Sequence, residues 1–135
     1  MSKKIFISLP VSDLKKSMDF YTAIGFTNNP MFTDETAACM VLTEEIYVML
    51  LTHNKFSEFT TKEIADTSKT AAVINCVSVD SPEELNIFID SALNAGAKET
   101  KEPIDFGFMQ QKSFEDIDGH LWEVTYMDMS KFPQE

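Results

Sequence analysis

The first half of the chain shows two periods in its apolar positions, one typical of a strand and one typical of a helix. Residues 5–9 (Ile-Phe-Ile-Ser-Leu) are rich in β-branched and aromatic types and predict a strand. The apolar positions that follow have helical spacing: Leu14, Met18, Tyr21 and Ile24. Ser12 or Asp13 is placed to cap this helix, and Gly25 is placed to end it.

The chain then continues with extended segments and starts the same order again. Strands are predicted at 36–42 and 46–52, and another at 72–79. Residues 81–84 (Ser-Pro-Glu-Glu) are the types that start a helix, because serine caps, proline fits the first turn and glutamate follows three residues after the cap. The second helix has one apolar face and ends near Gly96.

Three extended segments complete the second half, at 97–100, 108–114 and 121–126. Asp118-Gly119 predicts a hairpin between the last two strands. The order of strand, helix and three strands therefore occurs twice, which indicates a duplicated module within one domain. We expect module one at residues 3–53, a polar linker with a short helix near 61–66 at residues 54–70, and module two at residues 71–128.

Size and charge restrict the class of partner. The chain has 135 residues, which suits a single domain, and its formal net charge is −11. Such a surface repels phosphate, so we expect no nucleic acid and no membrane as partners, and a neutral or cationic ligand is easier to hold. Cys39 and Cys76 lie in apolar stretches without a CxxC pattern and are expected to be buried, reduced thiols. With no signal-peptide or membrane-span pattern, the expected location is cytoplasmic.

Two segments resemble the vicinal-oxygen-chelate superfamily, which holds glyoxalase I, bleomycin-resistance proteins and extradiol dioxygenases. Residues 9–14 (Leu-Pro-Val-Ser-Asp-Leu) resemble its opening, and residues 114–123 (Phe-Glu-Asp-Ile-Asp-Gly-His-Leu-Trp-Glu) resemble its acidic closing motif. More narrowly, the chain is similar to predicted lactoylglutathione lyase-like relatives. The resemblance implies an α+β fold in which two βαβββ modules form a U-shaped cleft, the glyoxalase/bleomycin-resistance fold. It also implies a homodimer.

The resemblance further implies where metal-dependent members hold a divalent ion. The ligand positions, on the first and last strands of each module, fall on Phe6, Met49 (or Leu50 in a shifted register), Ile74 and Glu123. Only Glu123 carries a usable donor, and a single carboxylate does not hold zinc or nickel with the usual three or four ligands. We therefore expect no metal and no cofactor. His53 and His120 stay open as donors of a non-standard metal site.

Strand alternation predicts which side chains line the implied cleft. The residues expected to bind a ligand from the strands are Phe6, Ser8, Met49, Ile74, Cys76 and Thr125. Glu123 is expected as the single carboxylate of a mostly apolar lining, where it could act as a general base or anchor a cation. Phe106 and Met109 belong to the expected rim, and Trp122, of opposite parity, is expected to pack under the helices. In the competing interpretation the rim residues only fill the cleft or pack a dimer interface.

Three functions remain open after this reasoning. The first is a binding protein that holds a small neutral or cationic organic molecule in an apolar cleft without metal, as the acidic charge and the apolar lining favour. The second is a metal-free lyase or isomerase of the glyoxalase-like type with Glu123 as general base. The third is a metal-dependent enzyme with non-standard ligands. The sequence leaves open whether the chain is an enzyme.

Overall fold

A computed structural model describes residues 3–133 and has a mixed α+β architecture. The chain divides into two compact units whose boundary lies between Asp66 and Thr67, within the segment predicted as the linker. Each unit contains one β-sheet and one long helix, of 10 residues in unit one and 13 in unit two. The predicted α+β fold class is therefore confirmed. Among the described helices, none has both the length and the apolar character needed to cross a membrane.

Unit one is a four-stranded sheet with its long helix on one face. Its elements are β1 (Ile5–Val11), α1 (Leu14–Ala23), β2 (Thr27–Asn29), β3 (Ala37–Val41), β4 (Ile46–Thr52) and the short α2 (His53–Phe56). The strand order is β1-β4-β3-β2, with β1 parallel to β4 and the other neighbours antiparallel. The first four strands and α1 reproduce the predicted order.

Helix α1 begins and ends at the residues that the sequence marks for these roles. The carboxylate of Asp13, and not the hydroxyl of Ser12, accepts a hydrogen bond of 3.1 Å from the backbone N–H three residues later. Gly25 follows the helix with φ of +108°, a left-handed conformation that favours glycine. The residues that α1 buries are Ser17, Phe20 and Tyr21.

The predicted helix near 61–66 is wrong, because the short helix of this region lies earlier. α2 begins at His53, directly after β4, and the hydroxyl of Thr52 caps it by accepting the backbone N–H of Lys55 at 3.2 Å. Residues 57–73 contain no helix. The segment 61–66 has one apolar side chain of any size and so cannot bury a helical face, which most helices need for stability.

Unit two repeats the arrangement with one additional short strand. Its elements are β5 (Ile74–Val79), α3 (Pro82–Asn94), β6 (Lys98–Glu99), β7 (Ile104–Asp105), β8 (Met109–Glu115) and β9 (Leu121–Met127). The strand order is β5-β9-β8-β6, and β7 also pairs with β8. β5 is parallel to β9, and the other pairs are antiparallel. Leaving out the short β7, both sheets therefore have the same topology. Going across each sheet, the first strand of the unit is followed by its last, its third and its second strand.

The start of α3 follows the predicted capping pattern with a small shift. Ser81 Oγ accepts the backbone N–H of Glu84 at 3.0 Å, and the Glu84 carboxylate accepts the backbone N–H of Asp80 at 2.8 Å. In the usual capping box the glutamate bonds to the cap residue itself, so the carboxylate here reaches one residue further out. The first interaction satisfies a backbone donor that the helix leaves free, and the second satisfies the donor of the residue before the cap.

Trp122 packs under the helix of unit two, as its strand parity predicts. It is 1% exposed and lies parallel to Phe114, with ring centroids 6.5 Å apart. Phe88 of α3 lies against the Phe114 ring, with the two ring centroids 6.2 Å apart. This aromatic group fixes which face of β8 and β9 lies against α3. The alternate residues of these strands therefore point to the opposite face of the sheet.

The loop between β8 and β9 confirms the predicted hairpin but is longer than a two-residue turn. Asp116 Oδ1 accepts the backbone N–H of Asp118 and of His120, both at 2.9 Å. Gly119 has φ of +88°, and a Cβ at this position would collide with the backbone carbonyl of Thr67. The Asp118-Gly119 pair therefore lies in a five-residue loop, residues 116–120, and hydrogen bonds to the Asp116 carboxylate stabilise this loop.

Candidate functional site

Glu123 lies in the middle of β9 on the face of the second sheet opposite α3, which we call the distal face. In the strand register it pairs with Cys76 of β5 on one side and with Ser113 of β8 on the other. Paired residues of neighbouring strands share a face, so these three side chains form a row across the sheet. The sequence reasoning had placed Glu123 and Cys76 together, and it had missed Ser113.

The next row on the distal face is also polar. Thr125 pairs with Ser78 and with Gln111, and Gln111 Nε2 donates a hydrogen bond of 3.0 Å to Thr125 Oγ1. The Cys76 sulfur lies 3.3 Å from the same hydroxyl oxygen. The expectation of a buried Cys76 is wrong, because this thiol is exposed while Cys39 is buried. Strand parity puts Cys76 on the distal face, away from the helix.

Lys101 adds a positive charge to these two rows. It lies in the loop between β6 and β7, and its Nζ is 3.0 Å from Glu123 Oε2 and 3.3 Å from Gln111 Oε1. The Glu123 side chain is 18% exposed and that of Lys101 is 45% exposed. The expected single carboxylate in an apolar lining is therefore wrong, since Glu123 forms an ion pair among polar neighbours. We call Cys76, Lys101, Gln111, Ser113, Glu123 and Thr125 the polar cluster.

Ser113 is the member of the polar cluster whose buried side-chain oxygen has no hydrogen-bond partner in the described part of the chain. It is 3% exposed, and its hydroxyl has no hydrogen-bond partner within residues 3–133. A buried hydroxyl without a partner costs about 1–3 kcal/mol relative to its solvated state. The cluster therefore keeps an unused polar atom directly opposite Glu123.

Apolar side chains lie on both sides of the polar cluster. Ile74 pairs with Leu121 at one end, and Met109 pairs with Met127 at the other. Phe106 joins the second group, because its backbone N–H donates to the carbonyl of Met109 at 2.8 Å. The side chains of Ile74, Met127 and Phe106 are more than half exposed. Among the predicted ligand-binding residues, Cys76 thus lies directly beside Glu123, and Ile74, Thr125 and Met109 lie in other rows of the distal face, with Phe106 bonded to the strand end at Met109.

The remaining predicted residues lie on the sheet of unit one, on the face opposite α1. Phe6 stacks on Tyr47 with ring centroids 4.4 Å apart, and Ser8 pairs with Met49. Met49 pairs in turn with Cys39. This row occupies the same first, last and third strands as the row of Cys76, Glu123 and Ser113 in unit two. Met49 of unit one therefore occupies the position that corresponds to Glu123 in unit two.

The donor set does not fit the divalent ion that metal-dependent members of the resembled superfamily hold. Across residues 3–133, no three His, Cys, Asp or Glu side chains are grouped so that they could bind a metal. His53 is exposed and belongs to α2, since β4 ends one residue earlier. His120 is buried in the loop held by Asp116. Glu123 already pairs with an ammonium group, whose positive charge repels a cation.

Alternation could have found two of the missed residues. Gln111 and Ser113 have the same parity as Met109 on β8, so the register of the last hairpin assigns them to the distal face. No periodic pattern points to Lys101, because it lies in a loop and is 22 residues from Glu123 in sequence. Only the folded chain brings these two charges together.

The fold and this sheet arrangement agree with the sequence comparison. The chain belongs to the Glyoxalase/Bleomycin resistance protein/Dioxygenase superfamily, whose family description matches residues 5–124. This confirms the superfamily inferred from the two sequence motifs. No curated protein matches the chain in sequence.

Solved structures share the fold at low sequence identity. A hypothetical protein from S. aureus has a TM-score of 0.77 at 24% identity, over 93% of this chain and 95% of that one. A glyoxalase/bleomycin resistance protein/dioxygenase family enzyme from Burkholderia phytofirmans has a TM-score of 0.76 at 17% identity, over 94% and 100%. The fosfomycin resistance protein of Mesorhizobium loti has a TM-score of 0.70 at 10% identity, over 97% of each chain. At these identities the similarity establishes the fold alone.

Proposed function

We propose that this chain binds a small neutral or cationic organic molecule on the distal face of the second sheet, without a metal ion. The observation that carries the proposal is the polar cluster flanked by exposed apolar side chains. Binding sites for small molecules are mostly apolar and contain a few placed polar groups. Ile74, Met127 and Phe106 offer apolar contact, and the cluster offers donors and acceptors within one strand spacing.

Charge supports the same class of ligand. The net charge of −11 disfavours the approach of anions. Inside the cluster the ion pair between Lys101 and Glu123 balances one positive against one negative group. A neutral molecule with polar substituents can bind to such a pair, and a cation can bind where it displaces the lysine. Within residues 3–133 no second acidic or imidazole donor joins Glu123 in a metal-binding group, which supports binding without metal.

Thermal stability measures this binding directly. We expect neutral and amine-bearing aromatic compounds to raise the melting temperature, because a ligand at about 100 times its Kd stabilises the folded state by about 2.7 kcal/mol. EDTA should not change this effect. Glu123→Gln should reduce the shift caused by amines, whereas the control Glu83→Gln, an exposed residue of α3, should not.

The metal content of the purified protein tests whether binding occurs without a metal ion. Protein purified without chelators is expected to contain much less than one equivalent of transition metal per chain. Zinc, nickel, iron or manganese at about one per chain, together with a melting-temperature shift that requires the ion, would contradict binding without metal. That result would favour a metal-dependent enzyme with non-standard ligands.

A second candidate function is proton transfer by Glu123 in a lyase or isomerase. The favouring observation is the distance of 3.0 Å between Lys101 Nζ and Glu123 Oε2. A carboxylate can remove a proton next to a carbonyl, and a neighbouring ammonium stabilises the negative charge that develops on the carbonyl oxygen. Deuterium exchange of dihydroxyacetone in D2O, followed by proton NMR, tests this step. Glu123→Gln should abolish the exchange and leave the binding of neutral compounds intact.

We also propose that the chain forms a homodimer and that it is located in the cytoplasm. The support for the dimer is the resemblance to the superfamily and a set of exposed large apolar side chains in unit one, namely Met31, Phe32 and Phe59. Exposed apolar groups of this size are typical of interaction surfaces when they are contiguous. Light scattering at several concentrations should give the mass of two chains, and a constant mass of one chain would contradict the dimer.

A further inference from the structure

The polar cluster already holds one ammonium group, and this group comes from a loop. Lys101 Nζ lies between Gln111 Oε1 at 3.3 Å and Glu123 Oε2 at 3.0 Å. Gln111 is on β8 and Glu123 is on β9, so the ammonium spans the boundary between the two strands. Because 45% of the lysine side chain is exposed, solvent reaches the group and competes for its hydrogen bonds.

A further acceptor lies in the same row as Glu123, outside the hydrogen-bonding reach of Lys101 Nζ. An ammonium group has three N–H donors, of which Lys101 uses two on Gln111 and Glu123. Ser113 is two residues after Gln111 on β8 and pairs directly with Glu123. Its hydroxyl is buried and has no hydrogen-bond partner in the described part of the chain. Lys101 Nζ does not reach this hydroxyl, so two oxygen atoms hold the lysine and a third, next to Glu123, stays unused.

We propose that the polar cluster is a binding site for a primary ammonium group, and that Lys101 occupies this site until a ligand displaces it. The inference rests on the proposed function, since it names the chemical class of the molecule that binds the distal face. The ligand ammonium takes the place of Lys101 Nζ between Gln111 and Glu123. It lies closer to β8 than Lys101 Nζ does, so that its third N–H donates to the hydroxyl of Ser113, which no residue of the described chain uses.

The flanking residues specify the rest of the ligand. Met109 and Met127 lie one row beyond Gln111 and Thr125, and Phe106 adjoins them. Methionine and aromatic side chains favour apolar or aromatic substituents. The expected ligand is therefore a primary amine that carries an aromatic or aliphatic group. A quaternary ammonium lacks the N–H donors and is expected to bind more weakly.

Lys101 competes with such a ligand without blocking it. An ion pair exposed to this extent changes an equilibrium constant by about fivefold at most. A ligand that binds only the open form loses affinity in proportion to the fraction of molecules in which Lys101 is bound. Removal of the lysine side-chain charge should therefore raise the affinity for amines, by up to about fivefold.

Calorimetric titration of the full chain with three probes tests the proposal. The probes are phenethylamine, its neutral analogue 2-phenylethanol and its N,N,N-trimethyl derivative, titrated into the unaltered chain and Lys101→Met. Lys112→Met is the matched control, because Lys112 lies on β8 beside Gln111 and Ser113 but donates to Asn86 Oδ1 of α3. Circular dichroism confirms that each variant is folded.

We expect Lys101→Met to bind phenethylamine more tightly than the unaltered chain does, by up to about fivefold, and tighter than it binds either analogue. Lys112→Met should bind like the unaltered chain. Adding Glu123→Gln to Lys101→Met should weaken amine binding about tenfold, because it removes a charged hydrogen-bond acceptor. Ser113→Ala in the same background should weaken binding of phenethylamine and not of the trimethyl derivative.

Two results would overturn the inference, and they differ in what they mean for the proposed function. Equal binding of phenethylamine and 2-phenylethanol to Lys101→Met, with both perturbing backbone NMR signals of β8 and β9, would reject the ammonium site and retain ligand binding on the distal face. Absence of binding or of perturbation with all probes in every variant would reject both.

Discussion

At the scale of single residues, the buried hydroxyl of Ser113 on the distal face lowers the stability of the folded chain. The hydroxyl is buried and unpartnered within the described chain, whereas most buried polar atoms have a partner. Such a group lowers stability unless something else binds it. The same position in unit one is occupied by Cys39, whose sulfur is a weaker hydrogen-bonding group. A polar residue at this place in the second sheet suits binding better than it suits packing.

Replacement of this serine tests the argument. Ser113→Ala should raise the free energy of unfolding by about 1 kcal/mol, because it removes an unsatisfied buried hydroxyl. Ser81→Ala is the matched control and should lower it by about 1 kcal/mol, since Ser81 caps α3. Urea denaturation measures both changes. A loss of stability in Ser113→Ala as large as that in the control would contradict this account.

The two thiols should differ strongly in reactivity. Cys76 is exposed on the distal face, whereas Cys39 is buried and its burial raises the pKa of the thiol. A higher pKa leaves less of the reactive thiolate at neutral pH. Ellman's reagent should therefore modify one thiol per chain rapidly.

Substitution identifies which thiol reacts. Cys76→Ser should remove the rapid phase, and Cys39→Ser should leave it unchanged. A rapid phase that persists in Cys76→Ser would show that Cys39 is accessible in solution. Ligand bound to the polar cluster should slow the modification of Cys76, because the sulfur adjoins Thr125.

At the scale of elements, strand register decides the composition of the site. β5, β8 and β9 contribute one polar residue each to the row through Glu123, and the same strands bury Val77, Phe114 and Trp122 on the opposite face. Alternation thus lets short strands serve both the core and a binding surface. A register shift by one residue would turn the polar row toward α3.

The turn that sets this register depends on Gly119. Gly119→Ala should lower the free energy of unfolding by more than Gly25→Ala, although both glycines have positive φ, of +88° and +108°. The left-handed conformation costs about 1–2 kcal/mol for alanine at either site. Only at Gly119 would the new Cβ also collide with backbone, at Thr67, whereas Gly25 has free space around it.

Urea denaturation of the two variants provides the measurement. Both variants lose stability because alanine disfavours a positive φ. The difference between their free energies of unfolding therefore measures the cost of the collision at Thr67. Equal losses of stability would contradict the close approach of Thr67 to the loop between β8 and β9.

At the scale of the whole molecule, the excess of acidic residues dominates the electrostatics. The chain has 22 acidic and 11 basic residues and a sequence pI of about 4.5. Its surface charges repel one another at neutral pH, which destabilises the compact state. The local ion pair of Lys101 and Glu123 is a small exception within this negative field.

Salt should therefore stabilise the protein. The melting temperature at pH 7 is expected to rise between about 10 mM and 150 mM NaCl, as the Debye length falls from about 30 Å to about 8 Å. The gain should be smaller at pH 5, closer to the pI, where net repulsion is weaker. A melting temperature that falls with added salt would show that attractive ion pairs outweigh the net repulsion.

The residue pattern alone was enough to predict the duplicated order of elements, the α+β class, the cap at Ser81 and the superfamily, and it narrowed the cap of α1 to Ser12 or Asp13. These features depend on periodicity, capping chemistry and motifs, which act over a few neighbouring residues. The contact of Lys101 with Glu123, and a Ser113 hydroxyl without a partner among residues 3–133, appear only in the folded chain. Such contacts join loops and strands that are distant in sequence. They depend on how the chain closes in space, and no local pattern of residues specifies that closure.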